Sequence, residues 1–370
     1  MGEVMADKPT GRTLAADGVR AAYADKAIHL IGVGGSGMRA LAQLLAGRGA
    51  SVSGSDSERS EALADLESLG VSVVVGQRAE NLPDRLDLVV HSAAIHPENP
   101  ELLAARQRGC EVIKYSRMLG RLMSDRCGIA IAGTHGKSTT TAMVAHTLRA
   151  AGASPSFIVG ATSRQLGGPS GVGTGPHFVA EACEYDRSFL NLCPTLAAIL
   201  NIDEDHLDCY ENLGAIIEAF RAFAIKIPPE GVLVANGDDP HVGPALREPA
   251  PACEVQTFGL GSGRMWNAGR LSDEDGLCRF DVQFTGRRLC RVQLRLPGRH
   301  QVYNALAAAA LCHHAGLGPE DIAAGLSSFE GVDRRTTCMF EGGVTVVDDY
   351  AHHPTEIKAT LEAINDRYRP

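Results

Sequence analysis

Hydrophobic and polar positions along the chain form two kinds of segment, short apolar runs and longer stretches with helical spacing. The first apolar run, Ala27–Gly32, leads through a glycine-rich turn into Met38–Leu45, where apolar residues recur every three or four positions. A second run, Gly128–Ala132, leads through another glycine turn into a helical stretch that continues to Ala151. Strands that alternate with helices favour parallel sheets, so the pattern predicts an α/β fold.

The same pattern continues on both sides of the second glycine turn. Further strands are predicted at Ser51–Ser53, Val71–Val75, Leu86–Ser92, Glu111–Lys114, His177–Ala182, Leu196–Asn201 and Gly231–Ala235, and further helices at Pro100–Arg108, Val302–Ala315 and from about Pro354. Between Leu260 and Leu296 the runs become shorter and alternate, which predicts a small antiparallel addition with strands at Arg279–Phe284 and Leu289–Leu296. The last predicted strand is Val344–Val347.

Length and charge narrow the classes of function. A chain of 370 residues exceeds one ordinary domain. The net charge of −9 argues against binding nucleic acid through general electrostatics, although a few local cations could still hold a small anion. No apolar run approaches the roughly 18 residues that span a bilayer, and the N-terminus lacks the apolar part of a secretory signal. The ten cysteines include no CxxC pair and favour free thiols, so we expect a cytoplasmic protein that contacts neither membrane nor nucleic acid.

The first glycine turn, residues 32–37, reads GVGGSG and fits the GxGxxG pattern between a strand and a helix. Asp56 ends the next strand, 19 residues after Gly37, where an acidic residue would meet a ribose. Glycines let the backbone approach a pyrophosphate, and the helix N-terminus supplies amide donors. The turn therefore indicates a dinucleotide or nucleotide-sugar site; a tight turn without a ligand is the alternative.

The second glycine turn, residues 133–140, reads GTHGKSTT and also joins a strand to a helix. Amides of such a loop cradle phosphates, Lys137 can neutralise them, and the Ser138 hydroxyl can bind Mg²⁺. Ile131 stands where the general phosphate-loop pattern has its first glycine. An oxidoreductase that uses a nicotinamide cofactor needs only the first turn, and a simple ATPase needs only the second. Both turns together favour an enzyme that binds one nucleotide substrate and consumes another.

Several separated motifs resemble the Mur ligases, the ATP-dependent enzymes that build the peptidoglycan peptide. The family's compact phosphate loop, GTHGKSTT, explains the missing glycine. The resemblance is greatest to the branch that joins L-alanine to UDP-N-acetylmuramate, and it runs from about His29 to the end of the chain. The motifs that carry it are HLIGVGGSGMRALAQLL (29–45), HSAAIHPENPEL (91–102), EACEYDRSFL (181–190), NIDEDHLDCY (201–210), GRHQVYNALAAAAL (298–311), GVDRR (331–335) and DDYAHHPTEI (348–357).

The resemblance implies three α/β domains. Residues 1–24 are expected to be a flexible tail, 25–122 a Rossmann-like UDP-sugar-binding domain, 123–332 a central ATP-binding domain, and 333–370 the beginning of a Rossmann-like C-terminal domain. ATP would phosphorylate the lactyl carboxylate of UDP-N-acetylmuramate, and the amine of L-alanine would attack the acyl phosphate. Mg²⁺ would assist, and the protein would act as a monomer or homodimer.

The resemblance also implies roles for individual residues. For the UDP-sugar it implicates Gly32, Gly34, Gly35, Ser36, Gly37, Met38, Asp56 and Ser92. For ATP it implicates Gly133, Thr134, His135, Gly136, Lys137, Ser138, Thr139, His300, Asn304 and Arg335. Lys137, Glu181, His206 and Arg335 would be catalytic, and Ser138, Glu181 and His206 would hold Mg²⁺.

Each role has an alternative. Glu181 could be a solvated acid at a strand end, His206 a surface histidine, and the pair His300 and Asn304 a helix cap. Some relatives have Asp where this chain has Cys183; if that charge matters, Glu184 or Asp186 would have to replace it.

The segment from Asp348 to His353 allows two interpretations. Two histidines and two carboxylates beside a tyrosine could bind zinc. The resemblance instead favours contacts of Asp349, Tyr350 and His352 with substrate or transferred phosphate.

The end of the chain suggests an incomplete third domain. A Rossmann-like domain needs on the order of 100 residues, and only one strand and one helix follow residue 343. We expect a chain of this length to bind its nucleotides but to ligate poorly. Two alternatives to the L-alanine ligase therefore stay open: a ligase that recycles murein peptides, and a nucleotide-binding fragment without turnover.

Overall fold

The computed structural model describes residues 23–368 of the chain. The expected tail at 1–24 lies outside the described residues, except for its last two positions. The N-terminal part is a five-stranded sheet with the order β3-β2-β1-β4-β5, in which every pairing is parallel. The strands are β1 Ala27–Ile31, β2 Ser51–Asp56, β3 Ser72–Val75, β4 Leu88–His91 and β5 Glu111–Lys114, and the helices are α1 Ser36–Gly47, α2 Glu61–Ser68, α3 Pro100–Gln107 and α4 Tyr115–Ser124.

Strand β1 lies in the middle of the sheet, and all five of its residues are buried. Burial is possible because each of them is apolar or has a polar partner. Helix α1 packs Met38, Leu41 and Leu45 against the sheet, and these residues follow the helical spacing that the sequence shows. The first glycine turn is thereby fixed at the carboxyl ends of the parallel strands, the usual place for ligands in such sheets.

The central part is a ten-stranded sheet with the order β15-β14-β13-β12-β11-β10-β6-β9-β7-β8. Its strands are β6 Cys127–Ala132, β7 Ser156–Ile158, β8 Ser170–Gly171, β9 His177–Ala182, β10 Leu196–Ile199, β11 Val232–Asn236, β12 Glu254–Gly259, β13 Trp266–Glu274, β14 Leu277–Phe284 and β15 Arg287–Pro297. Strand β14 pairs antiparallel with both β13 and β15, which confirms the predicted antiparallel addition. The other pairings are parallel, apart from the short edge strand β8.

Five helices belong to the central part: α5 Lys137–Ala150, α6 Leu213–Ile225, α7 Val242–Ala245, α8 His300–His314 and α9 Pro319–Ser328. The alanine-rich helix α8 is buried along most of its length, because small side chains let it pack closely against the sheet and α5.

The last part contains two short antiparallel strands, β16 Thr337–Phe340 and β17 Val346–Asp348, followed by helix α10 Pro354–Arg367. The predicted strand Val344–Val347 is wrong by two residues at its start, and its partner β16 was not predicted. Helix α10 rests on the central part, where Ala363 is buried near Gly298 and Arg367 donates to the carbonyl of Asp275 at 2.9 Å. None of the helices within residues 23–368 is long and apolar enough to cross a membrane.

Candidate active site

The first glycine turn is held in place by the end of β2. The backbone N–H of Gly34 donates to Asp56 Oδ2 at 2.8 Å, and those of Gly32 and Val33 donate to the carbonyl of Ser55 at 2.8 and 3.0 Å. A Cβ on Gly34 would lie 2.8 Å from the same Asp56 oxygen, so a side chain there would push the strand end away. Asp56, which the pattern places at a ribose, therefore also fixes the turn.

A cleft of about 660 Å³ opens above this turn. Four of the predicted UDP-sugar residues line it: Gly32, Gly35, Asp56 and Ser92. Polar residues that the sequence did not single out also line it, among them Gln77, His96 and Asn99. They come from loops after β3 and β4, which only the strand order brings beside the turn.

The remaining predicted UDP-sugar residues do not line the cleft. The side chain of Met38 is buried in the core, so only its backbone amide in the first turn of α1 could face a ligand. Gly37 packs against the Tyr115 ring, where a Cβ would lie 3.0 Å from the phenol. Ser36 is exposed at the first position of α1, and Gly34 faces Asp56.

The second glycine turn is clamped to the loop after β10. The N–H of His135 donates to Asn201 Oδ1 at 2.7 Å, and Asn201 Nδ2 donates back to the carbonyl of His135 at 3.0 Å. The N–H of Asp203 donates to Thr134 Oγ1 at 2.9 Å. Gly136 has a φ of +82°, and a Cβ there would meet Asn304 Oδ1 at 2.6 Å. The loop is thus rigid before any phosphate arrives.

Lys137 lies on one side of this loop, which we call the phosphate side. Its Nζ donates to the carbonyls of Gly133 and Thr134 at 2.5 and 3.0 Å and to Glu184 Oε1 at 2.9 Å. Burial lowers the pKa of Lys137, but Glu184, Cys183 and Glu181 together outweigh this effect and raise the pKa above the ordinary value. The ammonium therefore stays charged at neutral pH, as phosphate binding requires.

Glu184 is a part of the site that sequence reasoning considered only as a replacement for the missing acid at Cys183. Its side chain is buried and pairs with Lys137, whereas Asp186 is on the surface and pairs with Lys114 at 2.7 Å. Glu184, and not Asp186, is the acid that the structure places here. Its position three residues after Glu181 in the EACEYD motif was the available signal.

Glu181 lies at the end of β9 beside the phosphate side of the loop. It accepts from the N–H of Gly160 and interacts with the Ser138 hydroxyl. Burial raises the pKa of Glu181, and this effect exceeds the opposite influence of Gly160, Lys137 and Ser138. A carboxylate that is held beside a hydroxyl in a desolvated position is a donor set that a hard divalent cation would match.

His206 reaches the same cluster from the loop after β10. Its backbone is left-handed with a φ of +55°, and its Nε2 lies 3.8 Å from Glu184 Oε1. The ring packs edge-on against Tyr185 at 5.1 Å, and the Tyr210 hydroxyl donates to the carbonyl of Glu184 at 2.5 Å. The structure therefore brings Lys137, Glu184 and His206 together.

The other side of the glycine turn opens into a cavity of about 400 Å³, which we call the nucleoside cavity. Its walls include these predicted ATP-binding residues: His135, Gly136, Thr139, His300, Asn304 and Arg335. Burial lowers the pKa of His300, which keeps its ring neutral and able both to donate and to accept. Asn304 is buried and donates to Gln301 Oε1 at 3.0 Å.

The predicted substrate residues have different surroundings. Asp349 lines the nucleoside cavity but accepts from the N–H of Thr336 at 2.6 Å and of Ala351 at 2.7 Å, so its carboxylate holds the chain between β17 and α10. Tyr350 and His352 are exposed and lie outside the cavity. The guanidinium groups of Arg334 and Arg335 stack on the Tyr350 ring, which keeps that ring at the surface.

Tyr115 lies between the first glycine turn and Glu181 and was not predicted. Its ring packs on Gly37 of the first turn, and it lies near enough to Glu181 and Cys183 for their charges to affect it. Burial and these neighbours raise the pKa of the Tyr115 hydroxyl, which stays protonated.

Comparisons with known proteins agree with this arrangement. Residues 27–126 match the Mur ligase family, catalytic domain, and residues 131–312 match the Mur ligase middle domain. The chain is 43% identical over 344 residues to UDP-N-acetylmuramate–L-alanine ligase from Desulforamulus reducens, covering 92% of this chain and 74% of that protein. The chain belongs to the Mur ligase family. The corresponding ligase from Chlorobaculum tepidum is 43% identical over 347 residues, and the match covers 93% of this chain and 72% of that protein.

Two solved Mur ligase structures share the fold. UDP-N-acetylmuramate–alanine ligase from Thermotoga maritima has a TM-score of 0.80 and 30% identity, covering 93% of this chain and 78% of that one. UDP-N-acetylmuramate:L-alanyl-γ-D-glutamyl-meso-diaminopimelate ligase from Neisseria meningitides has a TM-score of 0.77 and 31% identity, covering 84% and 100%. Membership in this family of ATP-dependent ligases confirms the resemblance and the predicted α/β fold class.

Proposed function

We propose that this Mur ligase joins L-alanine to the lactyl carboxylate of UDP-N-acetylmuramate at the expense of ATP, in peptidoglycan precursor synthesis. The observation that carries the proposal is the pair of clamped glycine turns, each beside its own cavity. The relatives at 43% identity have this activity in their names. We further propose that residues 25–122 bind the UDP-sugar, that 123–332 bind ATP, and that 333–370 cover the ATP site.

The geometry assigns parts of the substrates to parts of the site. Adenosine would occupy the nucleoside cavity beside His300 and Asn304, and its phosphates would cross the glycine turn to Lys137. The UDP-sugar would lie on the first turn with its lactyl group extended past Tyr115. A carboxylate is a poor acyl donor, so phosphorylation by ATP would supply a leaving group before the amine of L-alanine attacks.

The chain's own residues would do this mainly by positioning and charge neutralisation. Lys137 is fixed by two carbonyls and Glu184, so its ammonium needs little reorganisation to meet a phosphoryl group. Arg335 lines the nucleoside cavity from the opposite side and could neutralise the γ-phosphate. Mg²⁺, held by Ser138 and Glu181 with His206 or its water shell, would supply further charge neutralisation. Oxygen donors suit Mg²⁺ better than an imidazole, so Glu181 is the stronger ligand of the two.

A second candidate is a ligase that recycles murein peptide, because a tripeptide-adding relative has nearly the same structural similarity. The experiment measures ADP release with ATP, Mg²⁺ and UDP-N-acetylmuramate while L-alanine, L-serine, glycine or L-alanyl-γ-D-glutamyl-meso-diaminopimelate is added in turn. We expect L-alanine to stimulate ADP release more than the other acceptors, although weakly for a chain of this length, and to give a product whose mass equals UDP-N-acetylmuramoyl-L-alanine.

The other possible results of this experiment would support other functions. Stimulation by the tripeptide alone would establish the recycling ligase. Binding of both nucleotides without ADP release under any condition would contradict the proposal and favour a nucleotide-binding role. We propose that the protein acts in the cytoplasm. We also propose that it is a monomer or homodimer, and light scattering of the purified chain would test this oligomeric state.

A further inference from the structure

Three residues from separate segments lie close together beside the nucleoside cavity. His135 belongs to the second glycine turn and Asp203 to the loop after β10. His353 is the residue immediately before α10. Among residues 23–368, these three each offer one ligand atom, and the atoms lie within 4.8 Å of one another. His135 Nε2 is 3.1 Å and His353 Nδ1 is 3.7 Å from Asp203 Oδ2.

The two distances to Asp203 are close to those between the ligands of a small tetrahedral cation. Zinc binds histidine nitrogen and carboxylate oxygen at about 2.0–2.2 Å, which places neighbouring ligand atoms roughly 3.3 Å apart. Three protein ligands leave a fourth position for water or for another ligand. Two imidazoles and one carboxylate favour zinc and similar transition metals over Mg²⁺, which prefers oxygen.

The surroundings hold each ligand atom in a coordinating orientation. The other ring nitrogen of His135, Nδ1, lies 3.2 Å from Glu356 Oε1, and Nε2 of His353 lies 3.2 Å from the carbonyl of Glu204. Asp203 Oδ2 also accepts from Thr355 Oγ1 at 2.8 Å. A carboxylate or carbonyl behind each histidine is the arrangement that orients histidine ligands in metal sites.

Two hydrogen bonds compete with a metal at this position, and the closer one joins His135 Nε2 and Asp203 Oδ2 at 3.1 Å. The N–H of Thr355 donates to His353 Nδ1 at 3.3 Å and caps the first turn of α10. A metal would replace both hydrogen bonds, while Asp203 could still accept from the Thr355 hydroxyl.

We propose that His135, Asp203 and His353 form a binding site for Zn²⁺ or a similar transition metal, which fastens the start of α10 to the second glycine turn. This site is separate from the proposed Mg²⁺ ligands Ser138 and Glu181, which lie on the phosphate side of the turn. Because His135 and Asp203 line the nucleoside cavity, the bound metal would also restrain that wall of the cavity.

The first test uses Co²⁺ as a spectroscopic substitute on the metal-free full chain, with no nucleotide present. We expect the intense visible absorption of tetrahedral Co²⁺ to saturate at one equivalent and to disappear when Zn²⁺ is added. A weak spectrum typical of octahedral Co²⁺, or no saturable change, would overturn the proposal.

Variants then test the ligands by competition for Zn²⁺ with a chromogenic chelator. His353→Asn retains an acceptor for the Thr355 N–H, so helix α10 keeps its cap while the imidazole is lost. We expect His353→Asn and Asp203→Asn each to weaken Zn²⁺ binding about 100-fold, and Glu356→Gln to weaken it about 10-fold. Unchanged thermal unfolding of the metal-free variants would show that the fold is intact.

The neighbouring His352 provides the matched control. It is exposed, and its Nδ1 lies 3.2 Å from the carbonyl of Tyr350 and 3.5 Å from Glu356 Oε2, so it contacts the outer carboxylate rather than Asp203. His352→Asn should leave Zn²⁺ affinity unchanged, and an equal loss in both variants would overturn the ligand assignment. Zn²⁺ should also slow amide hydrogen exchange over residues 354–367 in the parent chain but not in His353→Asn; exchange that Zn²⁺ does not change would overturn the fastening role.

Discussion

Lys137 and Glu184 form the ion pair on which the phosphate side of the site depends. Replacing Lys137 by alanine should abolish ATP turnover and leave UDP-N-acetylmuramate affinity unchanged, because the two nucleotides use different glycine turns. ADP release and calorimetric titrations with each ligand measure this. Lys114→Ala, which removes an exposed lysine paired with Asp186, is the control. Equal loss of both ligands would show that the turns are assigned wrongly.

The same variant leaves Glu184 buried without its cationic partner, which typically costs about 3–5 kcal/mol when a pair is fully buried. Chemical denaturation should therefore accompany the titrations. The double variant Lys137→Ala with Glu184→Gln should regain most of the lost stability but no ATP turnover. That result would separate a catalytic loss from unfolding.

Glu181 provides a second test at the residue scale. Glu181→Gln keeps the shape of the side chain but removes one negative charge, so the Mg²⁺ concentration for half-maximal activity should rise about tenfold or more. The rate should fall with little change in stability, since an amide still accepts from the N–H of Gly160. Glu230→Gln, at an exposed position before β11, is the control. An unchanged Mg²⁺ dependence would make Glu181 a structural acid.

At the scale of an element, the second glycine turn depends on one backbone conformation. Gly136→Ala should lower ATP affinity and destabilise the protein by about 1–3 kcal/mol, because its φ is +82° and the new methyl group would meet Asn304 Oδ1. Gly152→Ala is a matched control with a φ of +76° and no atom within 4 Å of the new Cβ. It should show the backbone strain without the loss of ATP affinity, and a similar loss in both would exclude the clash as the cause.

Strands β1 and β2 are joined to α3 through the carboxylate of Glu101, which is fully buried. Burial raises the pKa of Glu101, but the nearby His29 ring and hydrogen bonds from Ser55 and Asn81 together lower it below the ordinary value of 4.5. Because the pKa is lower in the folded state, this stabilisation is present above about pH 4.5 and is lost as the pH falls through the folded pKa.

Glu101→Gln should therefore reduce the free energy of unfolding by about 2 kcal/mol at pH 7, and by progressively less as the pH falls below 4.5. Urea denaturation of both proteins between pH 3 and pH 7 measures the difference. Glu98→Gln, at an exposed position before α3, serves as the control. A difference that does not depend on pH would show that ionised Glu101 does not stabilise the fold.

At the scale of the whole molecule, two sheets each present a glycine turn, and the nucleotides should bind to them independently. Asp56→Ala removes the acceptor of the Gly34 N–H and should weaken UDP-N-acetylmuramate binding about tenfold without changing ATP affinity. Asp65→Ala, an exposed position in α2, is the control. Together with Lys137→Ala this gives reciprocal losses, and a fall in ATP affinity would contradict independent sites.

Much of the fold follows from local patterns. Strands β5 and β9 have the predicted bounds, and α8 lies within two residues of its prediction, because strong apolar periodicity and glycine or proline boundaries specify them. Less regular elements were not predicted, among them the short strands β7, β8 and β16 and the helices α4, α6 and α9. Their burial comes from neighbours that are distant in sequence, which a local pattern does not contain.

The sequence by itself determined the two glycine turns, their flanking strands and helices, and the family motifs, since these depend on residue type and short spacing. Only the tertiary structure decided which side chains meet. It paired Glu184 with Lys137, left Tyr350 and His352 at the surface, placed Tyr115 between the first turn and Glu181, and brought His353 to His135 and Asp203. The physical reason is that parallel strands converge at their carboxyl ends in an order that crossover connections set, so residues more than 200 positions apart become neighbours.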